Sequence, residues 1–280
     1  MSRFSGKTVI ITGSSNGIGR SAALLFAKDG ANVTITGRNA DRLEETKQLL
    51  LKSGVSEKNI NSVVADLTTS DGQDQLVNTT LKRFGKLDIL VNNAGAGIPD
   101  TTGAKGTDQS IDTYHKTFQL NLQAVIEMTK KVKPHLIESK GEIVNVSSIA
   151  AGPQAHPDFV YYSLAKAALD QYTRSSAIDL IQHGVRVNSV SPGAVMTGFG
   201  EAMGIPQEGF KKLYDFMAQH KECLPSRVVA TPEDIANIIL FLADRKLSSY
   251  IIGQSIVADG GTSLVMGTQA HDMMSILTAP

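Results

Sequence analysis

The sequence predicts an α/β fold, a doubly wound parallel sheet of seven strands with helices on both faces. Two observations predict it. Short runs rich in β-branched residues alternate with longer segments of helical period, which is the pattern of successive β-α-β units. Several runs, such as Leu87–Val91, are almost wholly apolar, as expected of strands that helices bury on both faces. The 280-residue chain is 41% hydrophobic and 19% charged, a composition typical of a globular protein with a buried sheet.

Each element follows from this alternation in chain order. The predicted strands are Thr8–Thr12, Asn32–Thr36, Ile60–Ala65, Leu87–Val91, Glu142–Ser147, Val185–Ser191 and Ser255–Ala258. The predicted helices between them lie at about Gly17–Lys28, Ala40–Ser53, Ser70–Phe84, Ile111–Glu138, Val160–His183 and Thr231–Ala243. Because the sequence shows no linker, repeat or low-complexity tract, we expect a single catalytic domain of residues 1–262 and a C-terminal tail of residues 263–280.

One segment, residues 197–227, interrupts the alternation before the last strand. It combines several glycines and prolines with an apolar set: Phe199, Met203, Ile205, Phe210, Leu213, Tyr214, Phe216 and Met217. Two interpretations stay open, a lid over a ligand crevice and a packed core helix. The lid would imply a largely apolar substrate. The tail is also apolar and is expected to pack against the lid or a neighbouring subunit; its large apolar residues are Leu264, Met266, Met273, Met274, Ile276 and Leu277.

Composition excludes several classes of function. Lys plus Arg equals Asp plus Glu at 27 each, so no overall charge favours nucleic acid or an anionic membrane. The longest strongly apolar stretch, Ile238–Ala243, is far shorter than the ~20 residues of a membrane-spanning helix, and no secretion signal is visible. Cys223 is the single cysteine, as expected of a cytoplasmic or other intracellular reducing compartment. No histidines have metal-ligand spacing, so no metal site is expected.

The turn after the first strand reads Thr12-Gly13-Ser14-Ser15-Asn16-Gly17-Ile18-Gly19. Gly13 permits a sharp turn, Gly17 lets the backbone approach a pyrophosphate, and Gly19 allows close packing while the helix N–H groups face the anion. By itself such a turn is equally compatible with a structure that binds no ligand. Its place in the first β-α unit of a Rossmann-type sheet favours a nucleotide site. The spacing excludes a P-loop, whereas a methyltransferase must be excluded by other residues.

The residue after the second strand bears on cofactor choice. An NAD-specific site would place a carboxylate there to bind the ribose 2′-hydroxyl, but the sequence has Arg38 and no acid before Asp41. A guanidinium offers a planar pair of donors suited to a 2′-phosphate. We therefore expect NADP (NADPH), with NAD the less favoured cofactor; a solvent-facing arginine is the alternative.

Tyr162 and Lys166 are a candidate catalytic pair. They are four residues apart on one predicted helix, so they share a face, whereas Tyr161 is turned well over a right angle from Lys166. An ammonium close to a phenol favours the phenolate and is expected to lower its pKa. Alone, this spacing is as well explained by a surface contact.

Other polar residues at strand ends give the pair a context. Asn92-Asn93-Ala94-Gly95 follows the fourth strand, Ser147-Ser148 ends the fifth, and Ser191-Pro192-Gly193 ends the sixth. These ends converge on one crevice. Taken in order, the glycine-rich turn, Asp66-Leu67, the Asn92–Gly95 motif, Asn121, Ser148, Tyr162-x3-Lys166 and Pro192-Gly193 with Thr197 resemble the short-chain dehydrogenases/reductases.

The resemblance runs from Lys7 to about Gly261 and implies a role for each matching position. Catalytic residues would be Asn121, Ser148, Tyr162 and Lys166: Ser148 polarises the substrate oxygen, Tyr162 exchanges its proton, and Asn121 holds a water that links Lys166 to solvent. Cofactor-binding residues would be Gly13, Ser15, Asn16, Gly17, Ile18, Gly19, Arg38, Asp66, Leu67, Asn93, Ala94, Gly95, Tyr162, Lys166, Pro192, Gly193, Val195 and Thr197.

Two positions depart from the family pattern. Ser148 lies fourteen residues before Tyr162, one more than is common, which implies a longer loop beside the substrate. Asn16 stands where many NADP users have a basic residue, so Arg38 must carry most of the phosphate recognition. The resemblance further implies a small-molecule ketone, aldehyde or alcohol as substrate, and a homotetramer or homodimer through the predicted helices Ile111–Glu138 and Val160–His183.

Alternative functions remain at this point. One is a nucleotide-binding regulator that keeps the fold without turnover, although such a protein would need no proton donor like Tyr162. The other is a methyltransferase, which would give no reason for the Tyr162 and Lys166 pair.

Overall fold

Seven parallel strands form one sheet at the centre of the molecule. The computed structural model describes residues 2–204, 206–266 and 270. The strands are β1 (Thr8–Ile11), β2 (Asn32–Gly37), β3 (Ile60–Val64), β4 (Ile89–Asn92), β5 (Glu142–Val146), β6 (Arg186–Pro192) and β7 (Ser255–Ala258). Their order across the sheet is β3-β2-β1-β4-β5-β6-β7. The predicted fold class, a Rossmann-type doubly wound sheet, is confirmed.

Helices cover the sheet on both faces. They are α1 (Gly17–Lys28), α2 (Ala40–Lys52), α3 (Ser70–Phe84), α4 (Ile111–Phe118), α5 (Ala124–Ser139), α6 (Val160–Ile181), α7 (Phe199–Ala202), α8 (Gln207–Gln219), α9 (Pro232–Ala243) and α10 (Arg245–Ser248). On one face α1 packs against α9 and α2; on the other α3 packs against α5, and α4 against α6. None of the described helices is long and apolar enough to cross a membrane.

The core consists of two apolar clusters, one on each face. The first includes Phe26 of α1, Ile35 of β2 and Ile239 of α9; the second includes Leu76 of α3 and Leu90 of β4. The central strands β1, β4, β5 and β6 are buried along their full length, which explains the largely apolar sequences of β1 and β4. At the edge, β3 alternates between buried and more exposed residues.

The topology fixes where a ligand can bind. β1 pairs with β2 on one side and β4 on the other. After β3 the chain therefore crosses back over β1, and the later strands are added on the opposite side of the sheet. At such a point the loops at the carboxyl ends of the strands diverge and leave a crevice. Because all seven strands are parallel, every strand-end motif of the sequence lies at this edge.

The helix predicted over Ile111–Glu138 is interrupted. A π-helical turn, Gln119–Gln123, separates α4 from α5. Within it, the buried side-chain amide of Asn121 donates to the carbonyl of Thr117, one turn earlier, at 2.9 Å. A side chain that inserts into the backbone hydrogen-bond ladder is a common cause of such a departure. The hydropathy period did not reveal it because the apolar face continues through the turn.

The segment 197–227 contains two helices, α7 and α8. Its apolar residue Ile205 lies outside the described residues, and so do Met273, Met274, Ile276 and Leu277 of the tail. Of the tail's predicted apolar residues, Leu264 and Met266 are described, and both are largely exposed.

Candidate active site

A cavity of about 860 Å³ lies at the carboxyl ends of the strands. The predicted site residues that line it are Gly13, Ser15, Asn16, Gly17, Ile18, Arg38, Asp66, Leu67, Asn93, Ala94, Gly95, Ser148, Tyr162, Lys166, Pro192, Gly193, Val195 and Thr197. Gly19 and Asn121 are placed behind its wall. The fold therefore brings the residues of the predicted cofactor and catalytic sets to one crevice.

The glycine-rich turn allows the backbone to pack very closely. Gly13 has a φ of 64°, and a Cβ there would lie 2.9 Å from the Cα of Ala94. A Cβ at Gly19 would lie 2.5 Å from both the Gly13 carbonyl oxygen and Nδ2 of Asn93. Either contact is too short for a side chain, so α1 can begin directly against the turn only with glycine at these positions.

Two polar side chains tie this turn to the loop after β4. The Thr12 hydroxyl accepts hydrogen bonds from the backbone N–H groups of Asn93 and Ala94, at 2.8 and 3.0 Å. The Asn93 amide donates to the carbonyls of Thr12 and Gly13, at 2.9 and 3.1 Å. Asn93 therefore shapes the cavity floor through the backbone, a structural contribution that its sequence position did not reveal.

The first turn of α1 faces the cavity without a side-chain cap. Its N-cap residue, Asn16, makes no capping hydrogen bond, and Asn16, Gly17 and Ile18 all line the cavity. Uncapped N–H groups at a helix start, reinforced by the helix dipole, form a binding site for an anion. The position suits the pyrophosphate of a dinucleotide.

One end of the cavity is polar and basic. Arg38 and Arg42 line it together with Asp66. Burial raises the pKa of the Asp66 carboxyl, but hydrogen bonds from the N–H and hydroxyl of Thr68 and the charge of Arg38 lower it, so that the pKa lies below its usual range. Asp66 is thus an ionised hydrogen-bond acceptor close to Arg38. This pair of groups suits an adenosine, bound by the carboxylate, with a phosphate beside the guanidinium.

Tyr162 and Lys166 stand at the other end, on α6. Lys166 is buried, and its Nζ donates to the carbonyl of Val146 at 2.9 Å and lies 5.6 Å from the centre of the Tyr162 ring. Burial lowers the pKa of the Lys166 ammonium to about 8, against a raising effect of Asp170. The lysine can therefore change charge near neutral pH.

The pKa of Tyr162 shifts in the direction opposite to the expected one. Burial raises it to about 12, although a hydrogen bond with Ser148 lowers it. The expectation that Lys166 would lower it is wrong in this structure. The ammonium lies over the ring and bonds to the Val146 carbonyl, and desolvation by burial is the largest influence on the phenol pKa. The phenol is therefore protonated at neutral pH.

Ser148 and Ser147 lie at the end of β5 and have different partners. The Ser148 hydroxyl interacts with Tyr162 and also accepts the N–H of Ala150 at 3.1 Å, whereas the buried hydroxyl of Ser147 lies 3.5 Å from the Lys166 carbonyl. The alternation of side chains along a strand explains the difference. Ser148 is the serine placed beside the candidate proton donor.

Tyr161 is directed away from this group. Its hydroxyl donates to the carbonyl of Gln109 at 2.9 Å, and its ring packs edge-on against Tyr114. Two adjacent tyrosines thus serve different purposes, as the helical angle between them predicts.

Asn121 lies fully buried behind the loop that follows β4. Its amide donates to the carbonyls of Ala96 and Thr117, both at 2.9 Å, and its Oδ1 accepts the N–H of Ala96 at 3.1 Å. A Cβ on Gly95 would lie 2.8 Å from Oδ1 of Asn121 and 3.1 Å from Nζ of Lys166. The Asn121 side chain is therefore committed to holding this loop beside Lys166.

The loop after β6 forms a further wall. A Cβ on Gly193 would lie 2.7 Å from Cβ of Asp259, and Val195 is bridged to Ala230. The side chain of Thr197 packs so closely on Gly17 that a Cβ there would lie 3.2 Å from its methyl group. These contacts place the Pro192–Thr197 loop opposite the glycine-rich turn.

Several cavity residues were not in the predicted set. Apolar and aromatic side chains from the segment 197–227 and from the loop before α6 enclose the space near Tyr162: Phe159, Phe199, Phe210, Leu213, Tyr214 and Met217. His156 lines it as well. The apolar content of the segment was visible in the sequence, but which side chains face the cavity depends on how α7 and α8 fold back. Among the described residues, no cluster of His, Cys, Asp or Glu could hold a metal ion.

Comparisons with known proteins agree with this geometry. A family model described as enoyl-(acyl carrier protein) reductase matches residues 13–263. The chain belongs to the short-chain dehydrogenase/reductase family. It is similar to a solved short-chain dehydrogenase/reductase of unknown function from Caenorhabditis elegans, determined with cofactor, with 75% identity, a TM-score of 0.95, and coverage of 96% of this chain and 100% of that one.

Two further solved structures of this family are similar over most of their length. Glucose dehydrogenase of Caenorhabditis elegans in the apo form is 60% identical, with a TM-score of 0.82 and coverage of 94% of this chain and 100% of that one. A 7α-hydroxysteroid dehydrogenase complexed with NADH and 7-oxo glycochenodeoxycholic acid is 30% identical, with a TM-score of 0.81 and coverage of 93% and 95%. As a member of the family, the protein is an oxidoreductase that uses a nicotinamide cofactor and acts on the CH–OH group of a small molecule.

Proposed function

We propose that the protein is an NADP-dependent oxidoreductase that interconverts a ketone or aldehyde and the corresponding alcohol. The observation that carries the proposal is the convergence of Ser148, Tyr162 and Lys166 on one end of a cavity whose other end contains Arg38. A single elongated ligand that brings a phosphate to Arg38 and a reactive ring to Tyr162 would fit this arrangement.

Tyr162 is the proposed proton donor in the reducing direction. Because burial raises the pKa of its phenol to about 12, the proton is present throughout the physiological pH range. The Ser148 hydroxyl, which lines the cavity beside Tyr162, would bind the same substrate oxygen and orient it. When bound, the nicotinamide supplies or accepts the hydride. Residues that share one substrate oxygen stabilise the charge that develops there.

Lys166 is proposed to support this proton transfer. An ammonium beside the phenol stabilises negative charge that develops on its oxygen as the proton leaves. Asn121 is proposed to hold a water that links Lys166 to solvent. Since its side-chain amide is already bonded to the backbone at Ala96 and Thr117, we assign this contact to its main-chain carbonyl, in the π-helical turn. Such turns are frequent at functional sites.

The proposed preference for NADP rests on Arg38. The residues present fit a dinucleotide, because the uncapped start of α1 faces the cavity and glycine-rich packing keeps the turn free of side chains. Gly37, which precedes Arg38, packs closely against Ser15. A Cβ at Gly37 would lie 2.9 Å from the Ser15 hydroxyl oxygen. No acidic side chain occupies the position where NAD-specific sites place one. The cavity wall there is formed instead by Arg38, Asn39 and Arg42.

A largely apolar substrate is proposed from the walls around Tyr162. Phe199 packs against the Tyr162 ring with 5.6 Å between ring centres, and Phe159 does so at 6.3 Å. We propose that residues 197–227 act as the lid of the domain formed by residues 1–262. Burial of apolar substrate surface against these rings would supply much of the binding energy.

An oligomer is also proposed, as a homotetramer or homodimer. Ile111 of α4 and Leu164 and Ile178 of α6 are 66%, 50% and 70% exposed. These helices lie on one outer side of the molecule, where a second subunit would cover them.

The experiment that tests the proposed reaction follows NADPH oxidation with a panel of apolar ketones and aldehydes. Tyr162→Phe removes the donor and is expected to lower kcat at least about a hundredfold, which is the usual contribution of an acid catalyst. Tyr161→Phe is the matched control, since it removes a neighbouring hydroxyl bonded to Gln109, and should keep most activity. Equal rates for Tyr162→Phe and the parent would refute the catalytic role.

A further inference from the structure

An ion pair joins the proposed lid to the nucleotide-binding half of the molecule. Nη2 of Arg42, in the first turn of α2, donates a hydrogen bond to Oε2 of Glu201 in α7 at 3.1 Å. Both residues line the cavity, and their side chains are 48% and 43% exposed. Because the two side chains line the cavity and are also about half exposed, their contact lies at the cavity mouth. Among the ion pairs of the described residues, it is the one that links the segment 197–227 to another element.

The Arg42 end of this pair is held by the nucleotide-binding scaffold. Its backbone N–H donates to the side-chain oxygen of Asn39, the N-cap of α2, at 2.9 Å. Its carbonyl accepts a hydrogen bond from Nη2 of Arg20 at 3.2 Å, and Nε of Arg20 donates to the hydroxyl of Thr46 at 2.9 Å. Since Arg20 lies in the first turn of α1, these bonds fix the start of α2 relative to the glycine-rich turn.

The Glu201 end belongs to the segment that folds over the cavity. The chain enters α7 beside the glycine-rich turn, where a Cβ on Gly198 would lie 2.9 Å from Nδ2 of Asn16. The ring of Phe210 in α8 packs on Gly200 of α7 so closely that a Cβ there has no room. Because α7 and α8 are in such close contact, a force on Glu201 acts on both helices of the proposed lid.

We propose that the Arg42 and Glu201 pair is a strap that holds the proposed lid across the cavity mouth and slows the release of the nicotinamide cofactor. The inference rests on the proposed function, because it takes residues 197–227 as the lid, but it requires no catalytic step. A guanidinium carries five N–H donors, so Arg42 can keep Glu201 and still face a phosphate in the cavity. The strap therefore acts on NADH as well as on NADPH.

The size of the effect follows from the exposure of the pair. Water and dissolved ions screen an ion pair that is about half exposed, so its contribution is modest. We expect its loss to accelerate cofactor release about two- to fivefold. A carboxylate that only repelled the phosphates of the cofactor would have the opposite effect, since its removal would slow release.

The test measures cofactor release by stopped flow in the absence of substrate. The complex with NADH or NADPH is mixed with an excess of the oxidised cofactor, and the decay of the fluorescence of bound reduced cofactor gives the release rate. Glu201→Gln removes the charge and keeps the shape, and it should speed release of both cofactors two- to fivefold. Arg42→Gln should do the same for NADH, and the double variant should release NADH no faster than either single one, because all three lack the same pair.

The matched control is Glu208→Gln, which removes a carboxylate of α8 that pairs with Lys212 within the same helix. It should release both cofactors at the parental rate. Added salt should speed release of NADH from the parent and reduce its difference from Glu201→Gln, because ions screen the pair.

Three results would overturn the strap. They are unchanged release from Glu201→Gln, slower release from it, and additive effects of Glu201→Gln and Arg42→Gln on NADH. If the parent released its cofactor as predicted but reduced no carbonyl compound, the proposed reaction would fail and the strap would stand. If the parent reduced ketones and Glu201→Gln released both cofactors at the parental rate, only the strap would fail.

Discussion

Arg38 offers a test of cofactor choice at the scale of a single residue. Arg38→Asp replaces the expected phosphate ligand with a carboxylate that suits a ribose hydroxyl. Because a hydrogen bond to a charged group contributes about 1.5–3 kcal/mol, we expect KM for NADPH to rise at least about tenfold and KM for NADH to change little or to fall. Steady-state kinetics with both cofactors measure this, and NADH serves as the internal control. Equal losses with the two cofactors would contradict a contact with the 2′-phosphate.

Residue positions at the site were predictable where spacing alone determines them. The four-residue interval between Tyr162 and Lys166 and the helical angle to Tyr161 correspond to the observed arrangement on α6. The pKa of Tyr162 was not predictable, since it depends on burial and on where the ammonium lies.

At the scale of elements, α8 is the part of the proposed lid whose role can be tested directly. Leu213 lines the cavity, and its side chain is 47% exposed. Its exposed part therefore faces the space where an apolar substrate would bind. We expect Leu213→Gln to raise KM for apolar ketones by roughly tenfold, as loss of an apolar contact of this size implies, with KM for NADPH unchanged.

The matched control for this prediction is Lys212→Gln, one residue earlier on α8. Lys212 is 77% exposed and pairs with Glu208, so its loss should leave all kinetic constants near those of the parent. A Leu213→Gln variant that behaved like Lys212→Gln would argue for a packed helix instead of a substrate lid.

Elements with a regular period were predicted well, and those set by tertiary contacts were not. The predicted helices Gly17–Lys28 and Ser70–Phe84 match α1 and α3, because apolar residues repeat at helical intervals throughout. The π-helical turn at Gln119–Gln123 depends on one amide, that of Asn121, and hydropathy is insensitive to it.

At the scale of the whole molecule, the exposed apolar residues of α4 and α6 predict an oligomer. Sedimentation at micromolar concentration should show a tetramer or dimer. Ile178→Glu introduces a charge at a position that is 70% exposed in the monomer, and we expect it to lower the oligomeric state. The comparison variant is Arg83→Glu, which places an exposed glutamate on α3 instead of α4 or α6 and should leave the oligomeric state unchanged. A monomeric parent would refute the proposed assembly.

The sheet as a whole was predictable because a parallel, doubly wound topology follows from the alternation of elements. The order β3-β2-β1-β4-β5-β6-β7 places every strand-end motif along one edge. What the pattern could not specify is the substrate, since that depends on how α7, α8 and the loop before α6 enclose the space near Tyr162.

The most direct test of the central claim labels the hydride and removes the proposed proton donor. NADPH deuterated at both C4 positions is incubated with a ketone that the parent reduces, and the product is examined by mass spectrometry. The parent and Tyr161→Phe should each place one deuterium on the carbinol carbon, whereas Tyr162→Phe should yield at most about one hundredth as much labelled alcohol in the same time. Labelled alcohol formed at the parental rate by Tyr162→Phe would contradict the account.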